Sequence, residues 1–401
     1  MRSALLTACV AAGLLVTPPH LGAQDRAPDR PNLETSVDTN DAYAYYRLGL
    51  AKLDRDPKQA AHAFYWAARI NPGLAEAYYA RRVALLLQDP RRLVRYWEGD
   101  KHTVHSKEIQ HIDSLEVQAL GLNPFLYHAL DQRLFRSIVH EIALEATRGS
   151  DDVQSGEIEY EMNRYISTGP LSLRAWIAYG EGRFDDALDL YAKAIKQAKH
   201  KASLRTDRAR IFFQLNRPDS ALAEFTQALD EMRKADKKDL VYVYESKALT
   251  EYSIAMVQQR LGNDSAARDA FGRALEEDLS YFPAHLQLGF MALGAKDTTT
   301  ALSEMDLAVQ IKGDDPWLRY VYGFTLNATG KYPEAETQLR KAVELDSVFA
   351  APHFGLAQAL EGQARTADAL AEYHTFLALA SRTDLRRAEA EKHVAQIGNG
   401  K

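Results

Sequence analysis

Between residues 248 and 383 the chain repeats itself every 34 residues, four times and without a gap, in repeats that begin at 248, 282, 316 and 350. The eighth position is always small: Ala255, Gly289, Gly323 and Ala357. The twentieth is always alanine, at Ala267, Ala301, Ala335 and Ala369. The twenty-fourth is large, as Phe271, Met305, Leu339 and Tyr373. The twenty-seventh is Ala274, Ala308 and Ala342, with Phe376 out of line. Such a pattern describes two closely packed helices. Small residues at eight and twenty let the helices approach, and the large residue at twenty-four fills the gap that remains. An array of this kind needs no single large core.

These marks resemble the tetratricopeptide repeat, a helix–turn–helix of that length. The resemblance implies an all-α, right-handed superhelical solenoid of such repeats, here with an irregular helical insert. Two further repeats begin at 168 (Ala175, Ala187, Tyr191, Ala194) and 202 (Ala209, Ala221, Phe225, Ala228). That makes six over 168–383, with a twelve-residue insertion at 236–247. An N-terminal pair covers 41–97. Its first member carries Leu48–Gly49, Ala60, Phe64 and Ala67 around a turn one residue short, and its second, from Ala75, is degenerate.

Residues 98–167 lose the register but still read as helix, either as two diverged repeats or as a helical insertion. Ile112, Leu115, Ala119 and Leu120 share one face. Asn123–Pro124 reads as an N-cap followed by proline at the first helical position, opening a helix through Leu126, Leu130, Leu134, Ile138 and Ile142. A polar loop is expected at Ser150–Gly156, then a short helix marked by Ile158, Met162 and Ile166. At the other end Asp384 reads as the N-cap of a closing helix over 384–401, with Leu385, Ala388, Val394 and Ile397 on its inner face. An array needs this cap because its last repeat would otherwise expose an apolar face.

The first 23 residues differ from the rest. Arg2 precedes an apolar run, Ala4–Val16, which is too short to span a bilayer; Thr17–Pro18–Pro19 breaks it, and Leu21–Gly22–Ala23 offers small residues for cleavage. This reads as a secretory signal peptide cut after Ala23 or Gln24, and implies a periplasmic or secreted protein with no membrane span after cleavage. Residues 24–40, polar and holding Pro28 and Pro31, read as a flexible linker. The only cysteine, Cys9, lies in the signal segment. Leu6–Thr7–Ala8–Cys9 looks like a lipoprotein box, but most of the apolar run follows the cysteine, which argues against lipidation. The expected mature chain has no disulfide and no thiolate chemistry. The net charge of −6 and the absence of like-charge blocks point away from nucleic acid.

By the resemblance, positions two, five, nine, twelve and thirteen of each first helix face a concave groove. That assigns Trp176, Arg210, Phe213, Tyr252, Met256, Arg260, Phe290, Tyr320, Phe324 and Phe354 to a partner-binding face, together with Tyr179, Thr206, Gln214, Gln259, Leu286, Trp317, Asn327, Gln358 and Glu361. Aromatic and arginine side chains are the usual anchors of protein interfaces, so a protein or peptide partner is expected, with self-association as a further possibility. Arg210 and Arg260 suggest a partner segment that is apolar and modestly acidic. His102, His105 and His111, near Glu108 and Asp113, suggest a metal only weakly, because no HExxH pattern or second ligand pair accompanies them. GxSxG, phosphate-loop and GxGxxG signatures are absent. No catalytic residue, metal or cofactor is assigned, and a non-enzymatic scaffold is expected. The alternative is a hydrolase with its chemistry in 98–167.

Overall fold

The computed structural model describes residues 27–146, 155–236 and 246–399, and every regular element among them is a helix. The signal segment 1–23, the start of the loop at 150–156 and most of the insertion at 236–247 lie outside the described residues. Helices α1 (Ala42–Lys52) and α2 (Pro57–Ile70) form the first pair, α3 (Ala75–Leu86) and α4 (Pro90–Trp97) the second. Four helices fill the stretch where the register is lost: α5 (Lys101–Val104), α6 (Lys107–Leu122), α7 (Asp131–Ala146) and α8 (Ser155–Thr168). Six regular pairs follow. They are α9 (Leu171–Gly180) with α10 (Phe184–Gln197), α11 (Ala202–Gln214) with α12 (Pro218–Asp236), and α13 (Lys247–Arg260) with α14 (Asp264–Glu277). Then come α15 (Phe282–Gly294) with α16 (Thr298–Ile311), α17 (Pro316–Ala328) with α18 (Tyr332–Leu345), and α19 (Ala350–Gly362) with α20 (Thr366–Leu379). The last helix is α21 (Arg387–Asn399). The described residues divide into two compact bodies: the first holds 54–61 and 78–277, the second 27–53, 62–77 and 278–399.

The turn inside each regular repeat has one geometry. Its fifteenth residue has a positive φ in all six: Gly182 (73°), Asn216 (54°), Gly262 (78°), Lys296 (62°), Gly330 (74°) and Ala364 (61°). The next residue donates its backbone N–H to the carbonyl five positions back, as in Arg183 to Ala178 and Lys331 to Leu326, both at 2.9 Å. This is the Schellman closure of a helix C-terminus, and it requires a left-handed residue at that point. Glycine adopts it freely, whereas Lys296 and Ala364 carry a Cβ there and are strained.

Packing follows the repeat marks. Ala267, Ala301, Ala335 and Ala369 are fully buried, as are Phe271, Leu339 and Tyr373, with Met305 at 1% exposure. A Cβ on Gly323 would lie 2.6 Å from Leu339 Cγ, and one on Gly289 would lie 3.1 Å from Met305. Position eight therefore does meet position twenty-four. In the shortened first repeat, a Cβ on Gly49 would lie 2.5 Å from the Phe64 ring. A second regularity is polar. Positions four and twenty-three pair across the two helices in Arg205–Glu224 (3.0 Å), His285–Glu304 (2.7 Å), Arg319–Gln338 (2.6 Å) and His353–Glu372 (2.7 Å).

Two segments depart from the sequence expectation. The helix expected from Pro124 begins at Asp131 instead. Asn123 Oδ1 accepts the N–H of Phe125 at 3.0 Å, so Asn123 caps a turn and not a helix. The closing helix begins at Arg387, later than Asp384 suggests, and its inner face shifts accordingly. Ala390 is fully buried, and Val394 and Ile397 pack on Phe354, Tyr373 and Phe376, whereas Leu385 is 95% exposed and Ala388 lies outside. Asp384 instead binds the Arg386 guanidinium at 2.6 Å, and Arg386 donates to Tyr320 Oη at 3.2 Å. The out-of-line Phe376 thus belongs to the seat of the cap.

The described part of the expected linker, 27–40, is held in place within the second body. Trp66 Nε1 donates to Pro28 O at 2.9 Å, and Arg30 donates to Tyr45 Oη at 2.9 Å while its guanidinium covers the Tyr45 and Trp66 rings. Asn40 donates to Ala378 O at 2.9 Å, Asp38 accepts from Ser381 Oγ and Arg382 N, and Arg69 grips Asp346 through both carboxylate oxygens at 3.0 and 3.1 Å. Residues 38–40 and the end of α2 are therefore docked on the last two repeats.

Candidate partner groove

The groove-facing positions of the first body are already occupied. Residues 121–131, from the end of α6 to the first residue of α7, run along the first helices of three consecutive repeats. Tyr252 Oη donates to Gly121 O at 3.3 Å, Arg210 Nε to Pro124 O at 3.2 Å, and Gln214 to Phe125 O. The Phe125 ring stacks on Phe213 with centroids 3.5 Å apart. Tyr127 Oη donates to Tyr179 O and Gly180 O, both at 3.0 Å, and Trp176 Nε1 donates to Asp131 at 3.2 Å. The carbonyls of Pro124 and Phe125 would begin the expected helix; here they accept from groove side chains, which explains its late start. Arg210 is 8% exposed and Tyr252 1%. The expected use of Arg210, Phe213, Tyr252 and Trp176 as an open partner face is therefore corrected: they bind the chain itself. Met256 is half-buried, and Arg260 alone is exposed, 3.3 Å from Asn216 Oδ1.

Beneath that segment lies a closed polar cluster. Arg82 pairs with Glu116 (3.0 Å) and Asp113 (3.2 Å), Tyr79 Oη donates to Asp131 at 2.9 Å, and His128 stacks on Tyr79 at 4.8 Å. Arg210 pairs with Asp207 at 3.1 Å, and Tyr191 Oη reaches Asp207 at 3.3 Å. Burial, with smaller contributions from Arg210 and Arg82, pushes His128 down to about 4 against the pull of Glu116. Burial likewise raises Asp113, Asp131 and Asp207 above the usual carboxylate range, opposed by their arginine partners. Each carboxylate is held by an arginine or, for Asp131, by the Tyr79 hydroxyl and Trp176 indole, which suits a structural seam between insert and repeats. His102 and His105 lie at the surface, apart from this cluster, and no group of three histidine or acidic side chains among the described residues is placed to hold a metal.

The second body is different. Phe290 and Phe324, both at position nine, are 38% and 46% exposed. Tyr320 is half-buried, with its ring 6.2 Å from Phe324 and 5.4 Å from Phe349, and burial raises its hydroxyl pKa despite Arg386. Phe354, expected in the groove, is 4% exposed and packs on Tyr373 and Phe376 under the cap. Beside Phe324 opens a cavity of about 450 Å³. From α17 it is lined by Phe324, Asn327 and Ala328, and from α19 by Gln358, Glu361 and Gly362, with Tyr332 at the start of α18. Six of these seven are positions nine, twelve and thirteen of two successive repeats. Tyr332, at position seventeen, carries no repeat mark, and sequence reasoning missed it; a Cβ on Gly362 would lie 2.7 Å from its ring. Glu361 is the only ionisable carboxylate in the lining. It is oriented by Tyr373 Oη at 2.9 Å and by His393 of α21 at 2.9 Å.

Two segments of the chain, 178–240 and 327–382, match family models of the tetratricopeptide repeat. No curated protein matches the chain. Similar solved structures include YrrB, described as a TPR protein with an unusual peptide-binding site, at 22% identity over 51% of this chain and 99% of that one, TM-score 0.40. The C-terminal part of a TPR repeat-containing protein from Cytophaga hutchinsonii matches at 15% identity over 57% and 95%, TM-score 0.44. Yeast Tom70 matches at 14% over 90% and 89%, TM-score 0.43. The matched segments, and the same turn and packing positions recurring through six helix pairs, place the repeats of 168–383 in the tetratricopeptide-repeat superfamily.

Proposed function

We propose that this protein is a non-enzymatic, exported scaffold that holds a protein or peptide partner on the groove face of its C-terminal repeats. Tetratricopeptide repeats support a role in protein–protein interaction. The observation that carries the site is the pair Phe290 and Phe324, exposed at the same position of successive repeats, with Phe324 lining the 450 Å³ cavity. A single exposed aromatic is ordinary, but two in register, one of them on a concave lining, are what an interface uses as anchors. The signal-like segment 1–23 supports export to the periplasm or medium.

The test is a pull-down from envelope extract with the wild-type chain and with the Phe290→Ala/Phe324→Ala double variant, both checked by circular dichroism. Loss of the captured partner in the folded variant is expected. Equal capture by both would move the site elsewhere. N-terminal sequencing should find a mature chain starting near Gln24 or Asp25; a lipid-modified Cys9 or an intact Met1 would overturn export by this route.

A further inference from the structure

The reading of the C-terminal groove as a partner face leaves the partner's chemistry open, and the cavity between α17 and α19 constrains it. Its lining offers acceptors and aromatic faces but no cation: no lysine, arginine or histidine is among its seven residues. Glu361 is the only charged group. Its side chain is 35% exposed, and Tyr373 and His393 fix its carboxylate without enclosing it. The Asn327 amide is oriented too. Its Nδ2 donates to Gly355 O at 2.7 Å, so the group left over is the acceptor Oδ1, which is buried and has no hydrogen-bond partner. Phe324 lies 46% exposed on the same wall, and Tyr332 lines the floor. A carboxylate held beside aromatic rings attracts a cation, and the rings cover an aliphatic stem. An acidic side chain would meet Glu361 with no compensating charge in the lining.

We propose that this cavity receives a lysine or arginine side chain of the partner segment, with its cationic head toward Glu361 and its stem against Phe324 and Tyr332. The inference rests on the groove reading above. It reverses the partner charge suggested by Arg210 and Arg260 in the sequence, because Arg210 is committed to Pro124 and Asp207.

The experiment is selection of a random-sequence peptide display library on the immobilised full chain, followed by affinity measurements on the best peptide. Enrichment of lysine or arginine flanked by apolar residues is expected. Replacing that residue with norleucine, which keeps the stem and removes the charge, should weaken binding about tenfold. Glu361→Gln should abolish the lysine-over-norleucine preference while binding of the norleucine peptide persists. The norleucine comparison leaves the protein untouched, so it stands even if the Glu361 variant loosens the cap. Enrichment of acidic or uncharged sequences, or equal affinity for lysine and norleucine, overturns the cation assignment. If those peptides still lose affinity with Phe290→Ala/Phe324→Ala, the groove reading survives. If no peptide is enriched, or the double variant binds every peptide as well as wild type does, both readings fall.

Discussion

Gly323→Ala adds one methyl group where the repeats are tightest. The new Cβ would sit 2.6 Å from Leu339 Cγ and 2.9 Å from Cδ2, with Ala335 O at 3.4 Å. Leu339 cannot retreat, because a Cβ at Gly355 of the next repeat would already be 3.1 Å from its Cδ2; it is wedged between two glycines. Overpacking of this kind costs about 1–3 kcal/mol. Alanine in place of glycine inside a helix returns about 1 kcal/mol. The net expectation is a loss of up to about 2 kcal/mol. Gly289→Ala is the internal control. Its nearest contacts, at 3.1 Å, are with Met305, a flexible thioether that adjusts, so the two effects should cancel to within about 0.5 kcal/mol. Leu339→Ala alone should cost about 3 kcal/mol, since Leu339 is fully buried. In the double variant Gly323→Ala/Leu339→Ala the new methyl occupies part of the vacated space. The combined loss should fall short of the sum by about 1–2 kcal/mol. Urea titrations followed by circular dichroism, with midpoints compared at constant m, measure all four proteins. Strict additivity, or Gly323→Ala no less stable than Gly289→Ala, would show that position eight does not set the helix approach.

Lys296→Gly and Ala364→Gly relieve left-handed strain at the repeat turn and should each stabilise by about 0.5–1 kcal/mol, whereas Gly330→Ala should destabilise by about 1 kcal/mol; thermal melts of the three variants check the signs. His128 sits at about 4 in the fold, against an ordinary value near 6.5 in the unfolded chain, so below pH 6.5 the unfolded state binds the extra proton and stability falls until about pH 4. The loss attributable to His128 approaches about 3 kcal/mol, while Asp113, Asp131 and Asp207, raised by burial, oppose it as they take up protons in the fold. His128→Gln should therefore be less acid-sensitive than wild type between pH 7 and 4 in urea titrations, and parallel profiles would refute the assignment.

The repeat array was legible because close packing leaves a record in residue size. Alanine at position twenty and glycine or alanine at eight are forced wherever two helices touch, and they recur at a fixed interval. The polar pairs at positions four and twenty-three were not legible, since histidine, arginine, glutamate and glutamine serve the same contact. The segment 121–131 was misread for a different reason. Asn123–Pro124 has the composition of a helix start, and nothing local reveals that Arg210 and Gln214, far along the chain, will claim the carbonyls such a helix would use. Which of the expected groove positions were free depended on that same segment in the first body and, for Phe354, on the closing helix. Phe290 and Phe324 are exposed and Arg210 is not, although all three occupy position nine.

Arrays of nearest-neighbour repeats can begin folding anywhere and grow in both directions. The docking of Asn40 on Ala378, 338 positions away, breaks that locality. A chain that emerges amino end first brings out residues 38–40 and the end of α2 long before their seat around Asp346 and Ser381 exists. Those segments must wait, half-assembled, until the final repeats have been made or delivered, so the first-made part of the second body is among the last to be completed. Contacts this distant slow folding through the entropy of joining far-apart segments. Truncation near residue 345 would accordingly injure the amino-terminal helices as well as the carboxyl-terminal ones.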